Sequence, residues 1–172
     1  MQRRIAQTSL IVIAVVVGAV LVGCRDRKKP EFLWSDAWVL TAIFWAQRAD
    51  GQVSLMKIIA YGDLTNIAIF NPEELESGLA RLTEAGLVKE NAGRFRPAGE
   101  ATAWYSEFLA LNQNNNDSML WMEAKLHSAP YRDGHDPRNN RHYPGFTKAK
   151  FDEAVASYHV WFDRHQAQTA TR

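Results

Sequence analysis

Residues 71–96 read NPEELESGLARLTEAGLVKENAGRFR, and this segment defines the architecture that we predict. Asn71 can accept a hydrogen bond from a free amide of a first helical turn, and Pro72 suits a first position whose N–H would be unused. Leucines then recur at helical spacing until Gly86, which can adopt the left-handed conformation that ends a helix. The remaining residues have the pattern of strand, tight turn and strand. The segment therefore predicts a helix followed by a β-hairpin, which is the second half of a winged-helix unit.

The residues before this segment supply the other elements of such a unit. Ser35 is a suitable cap for an apolar helix that ends near Asp50-Gly51, and Ser54 is a suitable cap for a second helix. Between them, Gln52-Val53 can form a short strand that pairs with the hairpin. Residues 63–70 fit either a buried helical turn or an extended segment. The order is that of a winged helix, so we predict a mainly α fold with a small β-hairpin: a winged-helix-like domain plus C-terminal helices.

Three further helices are predicted after the hairpin. The first opens at Gly99-Glu100, Ser118 can cap the second, and Thr147 can cap the third. The resulting division of the chain is a signal peptide or membrane anchor at 1–23, a linker at 24–34, a winged-helix-like domain at 35–111, a C-terminal helical extension at 112–165 with a long loop at 128–146, and a tail at 166–172. We expect the tail to fray.

The portion 36–100 resembles a group of uncharacterised bacterial proteins with a winged-helix-like domain. The shared pattern is a capped helix, an Ala-Gly-Leu-Val-type junction and an Arg-Phe-Arg-type wing. The matching residues are Leu40, Ala42, Ile43, Glu73, Glu74, Leu75, Leu79, Leu82, Ala85, Gly86, Leu87, Arg94, Phe95 and Gly99. The resemblance covers under half of the chain and implies a fold without any known catalytic residue.

The first thirty residues have the pattern of an export signal. Two arginines precede an apolar run at 10–23. The run ends in Leu21-Val22-Gly23-Cys24, which resembles the lipobox of bacterial lipoproteins. That resemblance implies cleavage after Gly23 and lipidation of Cys24, as with palmitate. The alternative is an uncleaved membrane helix over 5–24, because twenty residues are about enough to span the hydrocarbon.

Both interpretations attach the protein to a membrane. Cys24 is the only cysteine, so an intramolecular disulfide is impossible. The basic run at 25–29 would strengthen attachment by acyl chains. We expect a lipid-anchored protein of the cell membrane that faces the periplasm or exterior. If nothing is cleaved, the positive-inside rule instead favours a single-pass inner-membrane protein with a cytoplasmic domain.

The net charge of +1 conceals a separation of charge along the chain. Residues 1–29 carry +5, residues 30–112 carry −5 and residues 113–172 carry +1. The block that contains the winged-helix-like domain is therefore acidic. An acidic block repels the phosphates that supply most non-specific affinity for nucleic acid.

A winged helix invites a DNA-binding hypothesis, with the capped helix in the major groove. That helix carries four glutamates against the single Arg81, although base edges and phosphates are mostly contacted by basic or amide side chains. Lys89, Arg94 and Arg96 on the wing are the remaining cations, and three cations on a hairpin are typical of a solvated face. Nucleic acid is therefore not the partner that we expect.

The loop at 128–146 is the one segment whose residues suggest metal binding or catalysis. Its nineteen residues exceed the roughly 12–15 beyond which structureless loops are usually functional or disordered. Asp133, His135, Asp136 and His142 can in principle ligate a metal, but their spacing matches no recognised metal motif. We predict no metal, no cofactor and no catalytic residue.

The same loop contains residue types that are enriched at protein interfaces. They are Tyr131, Arg132, Arg138, Arg141 and Tyr143. We predict that these side chains contact a partner protein.

Neither a glycine-rich phosphate loop nor a nucleophile elbow occurs in the sequence. We therefore predict a non-enzymatic lipoprotein whose winged-helix-like domain mediates a protein–protein interaction in the cell envelope. The alternative is a membrane-tethered, cytoplasmic, DNA-binding transcriptional regulator.

Overall fold

The computed structural model of the protein describes residues 31–111, 115–128, 130–134 and 140–169. The elements in chain order are β1 (Glu31–Phe32), α1 (Trp34–Asp50), α2 (Leu55–Asn66), α3 (Pro72–Glu84), β2 (Val88–Asn91), β3 (Arg94–Pro97), α4 (Glu100–Ala110), α5 (Asn115–Leu126), β4 (Arg132–Asp133) and α6 (Lys148–Thr169). Helices dominate and β2 pairs with β3 as an antiparallel hairpin. The prediction of a mainly α fold with a small β-hairpin is confirmed.

Helix α3 begins and ends where the sequence predicts. The Asn71 Oδ1 accepts a hydrogen bond from the N–H of Glu74 at 2.7 Å, which caps the first turn. At the other end, Gly86 has a φ of 75° and the Leu87 N–H donates to the carbonyl of Leu82 at 2.9 Å. This is the geometry in which a left-handed glycine closes a helix.

The hairpin turns through Ala92 and Gly93, whose φ angles are both positive, at 51° and 73°. A two-residue loop with two positive φ angles is a type I′ turn, which matches the twist of the strands. Val53, between α1 and α2, forms a bridge with Phe95 of β3, and the Phe95 N–H donates to the Val53 carbonyl at 2.8 Å. The predicted order of helix, short extended segment, helix, helix and hairpin is therefore present.

Helix α1 is the centre of the core, since most of its residues are buried and it packs against α2, α3, α4 and α5. The start of α1 is fixed to the end of α2: the Trp38 Nε1 donates to the Gly62 carbonyl at 2.9 Å, and its ring lies 3.8 Å from that of Phe70. A Cβ at Gly62 would overlap the Phe70 ring, so this approach requires a glycine. The ambiguous segment 63–70 is helical to Asn66 and irregular beyond it.

The C-terminal helices share the same core. Trp45 of α1 packs edge-on against Phe108 of α4 and donates its Nε1–H to the Ser118 hydroxyl of α5 at 3.2 Å. Helix α6 packs against α2, and the Tyr158 hydroxyl donates to the carboxylate of Asp63. The segments that we separated at residue 112 are therefore joined by one hydrophobic cluster.

The N-terminal boundaries differ from the prediction of a linker at 24–34 and a helix capped by Ser35. Phe32 is fully buried in β1, which pairs in parallel with β4. The cap of α1 is Leu33, whose N–H donates to the Asp36 carboxylate at 2.7 Å, and Ser35 lies buried inside the helix. The Asp36 carboxylate therefore caps the helix in place of Ser35, and the buried Phe32 shows that the fold begins before Ser35.

Two C-terminal boundaries also differ. Ser118 does not cap α5, because the helix begins at Asn115 and the Ser118 hydroxyl instead receives the Trp45 indole. Helix α6 extends to Thr169, so residues 166–169 of the predicted tail are helical. The Thr147 cap is confirmed by a hydrogen bond from the Lys150 N–H to its hydroxyl at 3.2 Å.

Within the described ranges, no helix combines the length and the hydrophobicity needed to cross a bilayer. The predicted signal peptide or anchor at 1–23, the lipobox and Cys24 lie outside these ranges.

Candidate binding surface on the wing

The three cations predicted on the wing share one exposed face of the hairpin. Lys89 and Arg96 are directly opposed across the two strands. Arg94 precedes Arg96 by two residues and so lies on the same face, because side chains alternate along a strand. Opposed like charges destabilise a strand pair. The stability of the hairpin therefore does not explain this arrangement, and all three cations are exposed to solvent.

An open groove of about 810 Å³ lies beside this face, between the hairpin, the end of α1 and α4. Its polar lining side chains are Gln47, Gln52, Asn91, Arg94, Arg96, Thr102 and Tyr105. No carboxylate is among the residues that line it. The carboxylate of Asp50, at the end of α1, is engaged by Lys57 at 3.0 Å. We call this set of lining residues the wing groove.

A fourth cation lies close to the wing groove. Arg48 lies over the Trp45 ring at 5.2 Å and acts electrostatically on Tyr105. Burial raises the pKa of Tyr105, and the positive charge of Arg48 partly offsets that increase. The groove therefore combines guanidinium, amide and hydroxyl groups, a set suited to anionic groups. Guanidinium groups can bind a carboxylate or phosphate through two parallel hydrogen bonds.

The basic residues of the acidic block, residues 30–112, are unevenly distributed over its surface. Residues 30–112 contain six Lys or Arg. Arg81 is buried against Asp36 and Lys57 is paired with Asp50. The remaining four are Arg48, Lys89, Arg94 and Arg96, all at the wing end of α1. The exposed positive charge of the block is therefore concentrated on one surface.

The helix that would enter a DNA major groove is covered by its own chain. The Arg141 N–H donates to the Ser77 hydroxyl at 3.0 Å, and the Tyr143 N–H donates to a Glu76 carboxylate oxygen at 3.2 Å. The Arg141 guanidinium also contacts Glu84 at 2.9 Å. We call residues 141–143 the strap. The strap therefore covers part of the surface of α3, at Glu76, Ser77 and Glu84, that a recognition helix would present to a nucleic-acid groove.

The two loop tyrosines that we expected at an interface are buried in the core. Tyr131 packs edge-on against Phe32 at 5.1 Å, and Tyr143 packs against Phe95 at 6.2 Å. Only 9% and 8% of their surfaces are exposed, and burial raises the pKa of both hydroxyls. The prediction that these rings contact a partner is therefore wrong, because the rings attach the loop to the hydrophobic core.

Two of the three loop arginines form ion pairs within the chain. Arg132 contacts Glu31 at 3.1 Å, across the pair of short strands, and Arg141 contacts Glu84. Both arginines remain about half exposed. Arg138 lies outside the described residues. Both ion pairs attach the loop to the rest of the domain, and a contact of these arginines with a partner protein stays a prediction.

The potential metal ligands of the loop are not brought together where the structure can be followed. His142 contacts the Glu76 carboxylate through its Nδ1, whereas His135 and Asp136 lie outside the described residues. In the parts of the chain that the structure describes, no group of three or more His, Cys, Asp or Glu can hold a metal ion.

A buried ion pair is the polar feature that sequence analysis missed. The Arg81 Nε and Nη2 each donate to an Asp36 oxygen at 2.7 Å, and the two side chains are 3% and 0% exposed. Burial raises the pKa of Asp36, against the opposing effects of Arg81 and the Leu33 N–H. Arg81, the single basic residue of α3, is therefore not exposed for contact with nucleic acid. A distance of 45 residues separates the partners in sequence, so no local pattern reveals the pair.

No family model, no curated protein and no solved structure matches the chain. The assignment of a mainly α fold with a hairpin thus depends on the coordinates alone. The resemblances to winged-helix-like bacterial proteins and to lipoproteins stay predictions.

Proposed function

We propose that the protein is a non-enzymatic, membrane-anchored lipoprotein whose winged-helix-like domain binds an acidic segment of another cell-envelope protein in the wing groove. The main support is the exposed array of Lys89, Arg94 and Arg96 beside a groove lined without carboxylates, in a block of net charge −5. Because that block repels anions elsewhere, an acidic segment gains most at this surface.

The anchor is proposed from the sequence. Leu21-Val22-Gly23-Cys24 follows an apolar run with basic residues before it, so we propose cleavage after Gly23 and lipidation of Cys24. The domain then faces the periplasm or exterior, where its partner is an envelope protein. Mass spectrometry of the amino terminus tests this part, because an intact Met1 with an unmodified Cys24 contradicts it.

The alternative is a membrane-tethered, cytoplasmic DNA-binding regulator, and the exposed wing favours it, since guanidinium groups also bind phosphate. Two observations weigh against it: the strap covers α3, and Arg81 is buried. The wing alone would have to supply the contacts, and a few phosphate contacts give weak, strongly salt-dependent binding.

Titration of the full chain with two polyanions distinguishes the proposals. The probes are a glutamate-rich peptide and a duplex DNA of arbitrary sequence, each at low and high salt. We expect the peptide to bind, and the double variant Arg94→Ala/Arg96→Ala to weaken binding by about tenfold, from two exposed ion pairs of about 0.7 kcal/mol each.

The matched control is Lys148→Ala/Arg164→Ala, which removes two exposed cations of α6. Equal loss of peptide binding in both double variants contradicts a localised site. If the protein binds DNA but not the peptide, and the Arg94→Ala/Arg96→Ala variant loses that DNA binding, the result supports the regulator instead.

A further inference from the structure

We propose that the end of the domain nearest the anchor rests on the lipid bilayer through an exposed apolar patch. The patch consists of Trp34, Leu64, Ile67 and Ile69, which are 43%, 45%, 93% and 38% exposed. We call it the anchor-end patch. This inference rests on the proposed lipid anchor at Cys24 and adds a second membrane contact, made by the folded domain itself.

The four side chains belong to one end of the molecule. Helices α1 and α2 are packed together and joined by only four residues, 51–54, so the start of α1 lies near the end of α2. The ring centroids of Trp34 and Trp38 are 5.7 Å apart, and the Trp38 ring in turn packs against Phe70. Ile69 directly precedes Phe70 in the chain. Trp34 and Ile69 therefore flank the same aromatic pair, Trp38 and Phe70.

Ile67 is the most exposed member and has an unusual backbone. Its φ is 53°, a left-handed conformation that β-branched side chains rarely adopt. The backbone is held there by its N–H, which donates to the Asp63 carbonyl at 2.7 Å. Glycine or asparagine would fit this position with less strain, and either would expose less apolar surface. An isoleucine held outward in this way is expected where an apolar medium receives it.

The path of the chain identifies that medium as the bilayer. Cys24 precedes Trp34 by ten residues, which span at most about 35 Å when fully extended. A bilayer that holds acyl chains on Cys24 is therefore within reach of the patch. The basic run at 25–29 lies between the two, where it can contact lipid headgroups. Tryptophan at the edge of such a contact is typical of membrane interfaces.

The orientation that follows agrees with the proposed binding site. Trp34 opens α1, and the turn at Gly51 that borders the wing groove follows its last residue. Seventeen residues of helix separate these ends by about 25 Å. With the anchor-end patch on the bilayer, the wing groove is directed away from the membrane and toward a partner.

A single-cysteine label tests the contact in the lipidated full chain. If acylation occupies the Cys24 thiol, Ile67→Cys supplies the free thiol for an environment-sensitive fluorophore. The protein is reconstituted into vesicles of equal parts phosphatidylcholine and phosphatidylglycerol that carry a spin-labelled lipid quencher. We expect a blue shift and quenching at position 67. A headgroup-proximal quencher should act more strongly than one at the chain end, because interfacial side chains insert only about 5–10 Å.

Leu109→Cys is the matched control. Leu109 is an exposed leucine, 46% accessible, and its neighbour Phe108 packs on Trp45 far from the start of α1. A label there should show neither the blue shift nor the quenching. Unchanged far-ultraviolet circular dichroism establishes that both variants are folded.

Three outcomes overturn the inference, and one of them also overturns the proposed lipid anchor. Vesicle flotation without quenching at position 67 removes the patch contact but keeps the anchor. Loss of flotation removes the anchor and the patch together. A blue shift in vesicles without lipid quenching shows that another part of this chain or a second copy covers Ile67.

Discussion

Replacing Arg81 with methionine is expected to lower the free energy of unfolding by about 3–5 kcal/mol at neutral pH, the usual cost of breaking a buried ion pair at one partner. Both side chains are at most 3% exposed, so water cannot replace the two bonds of 2.7 Å that Arg81 makes to Asp36. Methionine fills similar space but donates no hydrogen bond to Asp36, whose carboxylate keeps the bond from the Leu33 N–H at 2.7 Å. Urea unfolding followed by circular dichroism measures the change.

The pH dependence of this loss tests its cause. Without Arg81, burial raises the pKa of Asp36 further above its ordinary value of 3.8, because a main opposing charge is gone. A carboxyl whose pKa is raised in the folded state contributes stability that is present below 3.8 and is lost as the pH rises through the raised value. The deficit of Arg81→Met relative to wild type should therefore be smallest near pH 3.8 and grow toward neutral pH.

Lys148→Met is the control for the removal of a positive charge. Lys148 pairs with Asp152 at 2.7 Å, but the side chains are 75% and 56% exposed, so the expected change is within about 0.5 kcal/mol. A loss below about 1 kcal/mol for Arg81→Met at neutral pH, typical of a solvated pair, would refute the reasoning. A loss of unfolding free energy for Arg81→Met that does not vary with pH would refute it as well.

Three further predictions concern local features. Gly86→Ala should lower the free energy of unfolding by about 1 kcal/mol, measured in urea. The cause is backbone strain, because Gly86 has a left-handed φ of 75°, whereas an added Cβ would meet no atom within 4 Å. An unchanged free energy of unfolding would contradict the helix end described above. Ser77→Ala should speed amide exchange at Arg141 without changing exchange in the hairpin, since it removes the acceptor that holds the strap. Burial and Asp63 raise the pKa of Tyr158 above its ordinary value of 10.0, so part of the stability is lost as the pH rises above 10.0, and Tyr158→Phe should flatten that alkaline loss.

The fold was predictable wherever local chemistry decides the conformation. Asn71 and Gly86 define the ends of α3 through their own backbone and side-chain geometry, and Ala92-Gly93 closes the hairpin as a two-residue turn. The caps at Ser54 and Thr147 were also predicted correctly. Each depends on residues within a few positions of one another, which a sequence pattern can express.

Features that depend on contacts between residues far apart in the sequence could not be predicted from local sequence patterns. Ser35 and Ser118 were assigned as caps because serine favours that role, yet each is buried within a helix. Tyr131 and Tyr143 were assigned to an interface from residue type, although the core receives both rings. The wing cluster is different, since alternation along a hairpin places Lys89, Arg94 and Arg96 on one face without any tertiary information.

The exposed cations near the hairpin and the buried arginine of α3 divide the surface of this domain in a way that bears on the DNA-binding alternative. A helix that reads DNA presents its side chains to the major groove, whereas α3 packs its leucines into the core and is contacted by the strap at Glu76 and Ser77. Its arginine is buried in an ion pair. The hairpin, by contrast, presents cations to solvent on a side free of lining carboxylates. Helix α3 thus contributes to the core and to the buried ion pair, whereas the hairpin contributes the exposed positive charge beside the wing groove, which is why the proposed acidic partner is expected to depend on Arg94 and Arg96 and not on α3.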